Sequence, residues 1–179
     1  MIELSPSLQL AVKTLRDARL DARDGLPEDL FLLVSSLVPL PNVDLLVTDE
    51  SKGILLSRRN DKFFGKSWHL PGGCMRYGES LEECLQKTAR RELGCEVSFN
   101  ADPVAVRNVL RGANHDLRYP NERGHNVAIL YDCTLPPYFV PDNGTNTEED
   151  SGFLKWFRKL PTDFLKIQQV FDDVLTPWK

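Results

Sequence analysis

Two glycines and two acidic residues lie at a spacing that would let a glycine turn and a helix contribute to one site. Gly72 and Gly73 form a turn, Glu79 follows, and Glu92 lies just before Gly94. Glu92 falls in the last turn of a predicted helix, where the helix dipole disfavours a carboxylate, so a nearby cation would compensate it. Mg²⁺ takes about six oxygens, usually from one or two carboxylates, waters and substrate phosphates. The pattern favours a cation site beside a phosphorylated substrate.

The helix that carries Glu92 begins and ends at recognisable signals. Ser80 and Glu83 have the spacing of a capping box, which satisfies two backbone donors at a helix start. Gly94 suits the position just after the helix, where a left-handed backbone conformation is common. The apolar stripe of this helix consists of Leu81, Leu85 and Ala89. The helix is therefore expected to pack by that stripe and to end at Glu92-Leu93-Gly94.

The rest of the chain alternates irregularly between predicted strands and helices. Hydrophobic periodicity predicts helices over 6–22, 28–37 and 161–175, and strands over 42–48, 53–59, 68–70, 95–100, 103–111, 125–135 and 153–157. Two long polar loops, 112–124 and 136–150, separate the later strands. This order indicates an α+β fold with a mixed sheet covered by helices.

Composition limits the functions to consider. The chain has 179 residues and a formal net charge of −4, so it has no overall electrostatic attraction to nucleic acid or to an anionic membrane. Its four cysteines include no C-x-x-C pair, which favours reduced thiols over a zinc site or a disulfide framework. The beginning of the chain does not resemble a signal peptide. The apolar run 31–40 is shorter than the roughly 20 residues that a membrane helix needs. We expect a cytoplasmic protein.

The motif resembles the box of the Nudix hydrolase superfamily in a modified form. Gly73, Glu79, Glu92 and Gly94 are in register with that box, whereas Lys87 replaces an arginine and Thr88 and Arg91 replace two glutamates. Within the superfamily, the chain most resembles the GDP-mannose mannosyl hydrolase branch, which also has a late Glu-Leu-Gly like Glu92-Leu93-Gly94. Its entry strand resembles Pro39-Leu40 and Val43-Asp44-Leu45, and the likeness extends over roughly residues 28–160.

The resemblance implies a fold, a cofactor and several site residues. The fold would be the Nudix α/β/α sandwich over 27–179, with 1–26 as an N-terminal helical extension. Gly72 or Gly73 would offer a carbonyl oxygen, and Glu92 a carboxylate, to Mg²⁺. Because the helix supplies one carboxylate, one ion is expected. Arg59 would neutralise the diphosphate leaving group and Asp44 would contact substrate. A surface arginine and a structural aspartate are the alternative interpretations of these two residues.

The chain departs from that branch in two places. No histidine lies where the branch has its base before Trp156; that position is occupied by Asp150-Ser151. Asp150 or Glu149 could serve there as metal ligand or as a base through water, unless both belong to a solvated acidic loop. Cys74 replaces an arginine after the glycine pair, and Arg76 is the nearest substitute. Two histidines are further candidates: His125, for catalysis or for packing, and His115, for substrate contact.

Three functions fit these observations. The first is Mg²⁺-dependent hydrolysis of a nucleoside diphosphate sugar, such as GDP-mannose or GDP-glucose, at the anomeric carbon. A single metal ion is better suited to stabilise a leaving diphosphate than to activate water for attack on phosphorus. The second is cleavage of the pyrophosphate itself. The third is a silent nucleotide-sugar-binding module. The branch is also homodimeric, and the predicted first helix has an apolar stripe that must pack somewhere.

Overall fold

A computed structural model describes residues 3–110 and 125–179. The helices are α1 (Pro6–Asp17), α2 (Glu28–Leu37) and α3 (Leu81–Leu93), followed by two 3₁₀ helices, Lys166–Phe171 and Thr176–Trp178. The strands are β1 (Leu40–Asp49), β2 (Gly53–Asp61), β3 (Gly65–His69), β4 (Gly72–Cys74), β5 (Ser98–Phe99), β6 (Ala105–Val109), β7 (Asn126–Thr134) and β8 (Leu154–Phe157). The order confirms the predicted α+β class.

The sheet is mixed and branches at β1. β1 runs parallel to β7 along most of its length, while its first half pairs antiparallel with β4 and its end with β2. β2 continues to β3 and β8, and β7 continues to β5 and β6. The glycine pair predicted as a turn is part of a short strand, since Gly72 and Gly73 begin β4. The register places Gly72 opposite Asp44. The name glycine turn is kept below for residues 71–73.

Both faces of the sheet are buried. On one face, Val43, Leu45 and Val47 of β1 pack with Leu85 and Ala89 of α3. On the other face, residues including Leu46, Ile54 and Leu130 pack against Phe171 and Leu175 of the C-terminal segment. Alternating side chains of each strand thus contribute to two cores, as expected for a sheet covered on both sides. This arrangement confirms the predicted sandwich.

The C-terminal helix predicted over 161–175 is wrong. The Trp68 amide donates to the Asp163 carbonyl at 3.0 Å, and the Leu165 amide donates to the Trp68 carbonyl at 2.8 Å. After a single turn at residues 161–164, the chain therefore runs alongside β3, and its hydrogen bonds to Trp68 replace those of an α-helix. The chain then turns into the 3₁₀ helix that begins at Lys166. The apolar periodicity of this segment reflects side chains that pack on the sheet, and the short 3₁₀ helices place these side chains there without an α-helix.

The N-terminal helix α1 is shorter than predicted and lies on the surface. It ends at Asp17, and none of its residues is buried. Its apolar side chains are between 37% and 65% exposed: Leu8, Leu10, Val12 and Leu15. The apolar stripe is therefore not buried against residues 3–110 and 125–179. In the same part of the chain, no helix has the length and apolar character to cross a membrane.

Candidate active site

The glycine turn is held tightly against β1. A Cβ atom at Gly72 would lie 2.5 Å from Asp44 Oδ1 and 2.9 Å from the Val43 carbonyl oxygen, distances that no side chain tolerates. The Leu45 amide also donates to the Pro71 carbonyl at 2.8 Å. Glycine is therefore required at position 72 for close approach, and the turn lies in a fixed place beside the buried Asp44.

The loop between this turn and α3 is fixed by Glu79. Lys87 forms an ion pair with Glu79 Oε1, and the Arg76 amide donates to Glu79 Oε2 at 2.7 Å. The capping box predicted at Ser80 is confirmed, and Gly94 ends α3 in the left-handed conformation with φ of 73°. Lys87 thus provides a cation for Glu79, and the capped helix carries Arg91 and Glu92 back to the glycine turn.

Arg91 lies between the two groups predicted to bind a metal ion. Its Nη2 donates to the Gly72 carbonyl oxygen at 2.8 Å and lies 2.9 Å from Glu92 Oε1. Its Nε donates to the same carboxylate oxygen at 3.0 Å. The guanidinium group therefore joins the end of α3 to the glycine turn.

Asp44 is a buried carboxyl group in contact with the C-terminal segment. Gln168 Nε2 donates to Asp44 Oδ1 at 2.8 Å, and the Leu70 amide donates to Gln168 Oε1 at 2.8 Å. Burial raises the pKa of Asp44 to about 7, against the lowering effects of Gln168, Asn42 and Arg59. A carboxyl group with that pKa exists in both protonation states near neutral pH, which suits acid–base chemistry.

His69 is neutral and has a defined tautomer. Its Nδ1 donates to the Leu70 carbonyl oxygen at 2.7 Å, because a carbonyl oxygen can only accept, so Nε2 carries the lone pair. Burial and the positive charge of Arg59 lower the pKa of His69 to about 4. His69 can therefore accept a hydrogen bond at Nε2 throughout the neutral range.

These groups line one open cleft of about 860 Å³. Arg59 forms an ion pair with Asp61. The Arg76 guanidinium group lies beside Gly25, where an added Cβ atom would be 3.6 Å from it. The polar lining residues are Asn42, Asp44, Arg58, Arg59, Asp61, His69, Cys74, Arg76, Tyr77, Arg91, Glu92, Asn126, Ser151 and Gln168. The apolar lining residues include Phe31, Val34, Leu40, Val109, Ala128, Val170 and Phe171. The cleft thus combines cationic groups for an anion with an apolar wall.

The structure brings together six of the predicted site residues and leaves three outside the cleft. Asp44, Arg59, Gly72, Gly73, Arg76 and Glu92 line it.

Glu149, Asp150 and His125 do not line the cleft. Glu149 is exposed and forms an ion pair with Lys66, and Asp150 Oδ2 accepts hydrogen bonds from the amide and hydroxyl of Thr147 at 2.8 Å. His125 Nε2 lies 3.3 Å from Asn108 Oδ1. His115 lies outside the described residues. The catalytic and substrate roles predicted for these four residues stay predictions.

The residues at the turn fit a divalent cation poorly. The donors predicted for Mg²⁺ are one carbonyl oxygen and the Glu92 carboxylate, and both are already hydrogen-bonded to Arg91. Asp150, the further predicted ligand, is occupied by Thr147. The described part of the chain contains no group of three or more His, Cys, Asp or Glu side chains arranged to hold a metal ion. A cation at this place would have to displace a guanidinium group that already neutralises the carboxylate.

Gln168 and His69 are site residues that sequence analysis missed. Gln168 lies in a segment predicted as a plain helix, and no local pattern marks it as a neighbour of Asp44, 124 positions away. His69 does precede the glycine turn directly, and that position was the one available signal.

Comparison with known proteins gives consistent matches. A family model described as NUDIX domain matches residues 38–173. The low-salt glycan biosynthesis protein Agl8 of Haloferax volcanii is 33% identical over 76 residues, which make up 42% of this chain and 48% of the relative. The match thus spans about half the length of that curated relative.

Two solved structures share the fold. The MutT NUDIX hydrolase from Burkholderia pseudomallei superposes with a TM-score of 0.55 at 22% identity, covering 74% of this chain and 98% of that one. The MutT protein from Methanosarcina mazei Go1 gives a TM-score of 0.51 at 22% identity, covering 76% and 95%.

Proposed function

This chain belongs to the NUDIX domain family, and we propose that it hydrolyses a nucleoside diphosphate sugar, of the GDP-mannose or GDP-glucose type, to a nucleoside diphosphate and free sugar. Members of this family act on nucleotide derivatives, generally with a divalent metal such as Mg²⁺. The observation that carries the proposal is the convergence of Arg59, Arg76 and Arg91 on one cleft beside the glycine turn. Guanidinium groups bind phosphate oxygens with two parallel hydrogen bonds, which suits a diphosphate.

The proposed reaction breaks the bond between the anomeric carbon and the diphosphate oxygen. A water molecule attacks the carbon, the electron pair of the broken bond leaves with the diphosphate, and the proton of the water passes to a base. Arginines stabilise the negative charge that develops on the diphosphate. A cleft that has several cations, and to which α3 contributes a single carboxylate, that of Glu92, is better suited to this step than to activating water for attack on phosphorus.

We assign to Asp44 the role of the base that accepts the proton of the attacking water. Its pKa of about 7 matches the working range of a general base, whereas the pKa of His69, about 4, makes that residue a weak base. His69 Nε2 is suited instead to accept a hydrogen bond from a sugar hydroxyl. Glu149, Asp150 and His125 are the competing assignment. Comparing D44N with D150N, E149Q and H125A separates the two, since only the variant of the true base should lose the acidic limb of the pH–rate profile, where protonation of the base lowers the rate.

The sugar part of the proposal draws support from the curated relative. The Haloferax volcanii protein is named for glycan biosynthesis, a process that consumes activated sugars. A shared domain that covers half of that protein supports a sugar nucleotide as the substrate class and leaves the base and the sugar to experiment.

Hydrolysis in water enriched in oxygen-18, followed by mass spectrometry of the products, tests the proposal. Label in the free sugar, with unlabelled nucleoside diphosphate, is the expected result. Label in a nucleoside monophosphate or a sugar phosphate would instead establish pyrophosphate cleavage and refute attack on carbon.

A silent binding module is the second candidate, and the contact between Arg91 and Glu92 favours it. Because Arg91 neutralises Glu92, this carboxylate is not available for catalysis, and the site could bind a nucleotide sugar without hydrolysing it. Calorimetry and product analysis on the parent and on E92Q distinguish the two. Binding with no turnover of any nucleoside diphosphate sugar would establish the module and end the enzyme proposal.

We also propose that the chain forms a cytoplasmic homodimer. The leucines of α1 are exposed on one helix and could form the interface. The cysteines Cys74, Cys84, Cys95 and Cys133 are all free, which is compatible with a reducing compartment.

A further inference from the structure

We propose that Arg91 takes the place of the metal ion in this site and binds the substrate diphosphate as a fixed cation. The proposal rests on the proposed function and names how that site works. Arg91 Nη2 donates to the Gly72 carbonyl oxygen at 2.8 Å, and its Nε donates to Glu92 Oε1 at 3.0 Å. These two oxygens are the ones that the sequence predicts as Mg²⁺ ligands.

The glycine turn is shaped to receive the guanidinium group. A Cβ at Gly73 would lie 2.7 Å from Thr88 Oγ1, 3.0 Å from Arg91 Nη2 and 3.5 Å from Arg91 Nη1. Gly73 does not have a positive φ, so its backbone conformation would tolerate a side chain. The missing side chain at position 73 therefore leaves space that the Thr88 hydroxyl and the Arg91 guanidinium group occupy together.

Arg91 keeps hydrogen-bonding capacity for a ligand. A guanidinium group has five N–H donors, and the contacts to Gly72 and Glu92 are made by Nε and Nη2. Among the described residues, no hydrogen bond to Nη1 is found. The Arg91 side chain is half exposed and lines the cleft. Nη1 can therefore donate to a phosphate oxygen while the other nitrogens hold the group in position.

The charges around the turn also oppose a metal ion. Glu92 is the carboxylate in the last turn of α3, and Arg91 already neutralises it. Asp61 is paired with Arg59, and Asp44 Oδ1 already accepts a hydrogen bond from Gln168. The guanidinium group of Arg91 would therefore repel a divalent ion at this place, whereas it would attract a diphosphate.

Binding of Mn²⁺ to the ligand-free protein, followed by electron paramagnetic resonance, tests the metal half of the proposal. The parent should leave Mn²⁺ free in solution. R91E replaces the cation by a second carboxylate beside Glu92 and the Gly72 carbonyl, so this variant should bind Mn²⁺ at least tenfold more tightly. R90E makes the same charge change in the same helical turn, but Arg90 pairs with Glu96 on the surface, so it should behave as the parent. A parent that binds one Mn²⁺ tightly, with loss of binding in E92Q, would overturn the proposal.

Binding of pyrophosphate in excess EDTA, measured by calorimetry, tests the anion half. The parent should bind without metal, R91A at least tenfold more weakly, and R90A like the parent. Thermal unfolding of each variant confirms that it is folded. Equal affinities of R91A and the parent would overturn the proposal.

The two proposals fail in different ways. Hydrolysis of a nucleoside diphosphate sugar that stops in EDTA and returns with Mg²⁺ would refute the role of Arg91 and leave the proposed function standing. Metal-free pyrophosphate binding that depends on Arg91, without hydrolysis of any nucleotide sugar, would support the role of Arg91 and refute the proposed function.

Discussion

Replacing Asp44 by asparagine should change how the stability of the protein depends on pH. Asp44 is 3% exposed, and burial raises the pKa of its carboxyl group from 3.8 to about 7. The folded protein therefore holds this proton more tightly than the unfolded chain does. The stabilisation is fully present below pH about 4 and is lost as the pH rises through about 7.

The size of the effect follows from the two pKa values. A difference of about 3 units corresponds to about 4 kcal/mol of unfolding free energy, because each unit is worth about 1.4 kcal/mol. Roughly 2–3 kcal/mol of this loss falls between pH 5 and pH 8. D44N keeps a side chain of the same shape, whose carbonyl oxygen can still accept the hydrogen bond from Gln168, and it has no proton to lose.

Urea unfolding followed by circular dichroism at pH 5, 6, 7 and 8 measures the effect. The unfolding free energy of D44N relative to that of the parent should rise by roughly 2–3 kcal/mol from pH 5 to pH 8. E50Q, which alters an exposed acidic residue outside the cleft, provides the matched control and should follow the parent. If the curves of D44N and the parent stay parallel, Asp44 is ionised in the folded protein throughout this range, and its assignment as a base with a raised pKa is wrong.

Three further predictions concern the turn, the helix that follows it and α1. G72A places a Cβ 2.5 Å from Asp44 Oδ1 and should destabilise the protein by about 3 kcal/mol, the upper end of the cost of overpacking; an unchanged melting temperature would show that the turn can move. S80A removes the acceptor for the Glu83 amide and should cost about 1 kcal/mol in urea unfolding, whereas S7A should cost less. The double variant L8E/L15E should convert the proposed homodimer to a monomer in light scattering, and a parent that is already monomeric would exclude the α1 interface.

The family and much of the fold could be predicted because their signals are local. The capping box at Ser80, the end of α3 at Gly94 and most strand positions depend on neighbouring residues or on short periodicity, and the structure confirms them. The segment after Pro161 could not be predicted in the same way. Its residues contact β3 and the sheet, and those long-range contacts favour extended chain and 3₁₀ turns over the α-helix that its local pattern predicts.

For the site, the residue types could be predicted from the sequence alone: a glycine pair, one carboxylate at the end of a helix, and Thr88 and Arg91 in place of two glutamates. The position of Arg91 between the Gly72 carbonyl and Glu92, and that of Gln168 against Asp44, could be seen only in the folded chain. This is because a hydrogen bond between residues distant in the chain depends on how β1, β4 and α3 pack. The same arginine could equally have pointed into solvent, and spacing alone does not distinguish the two.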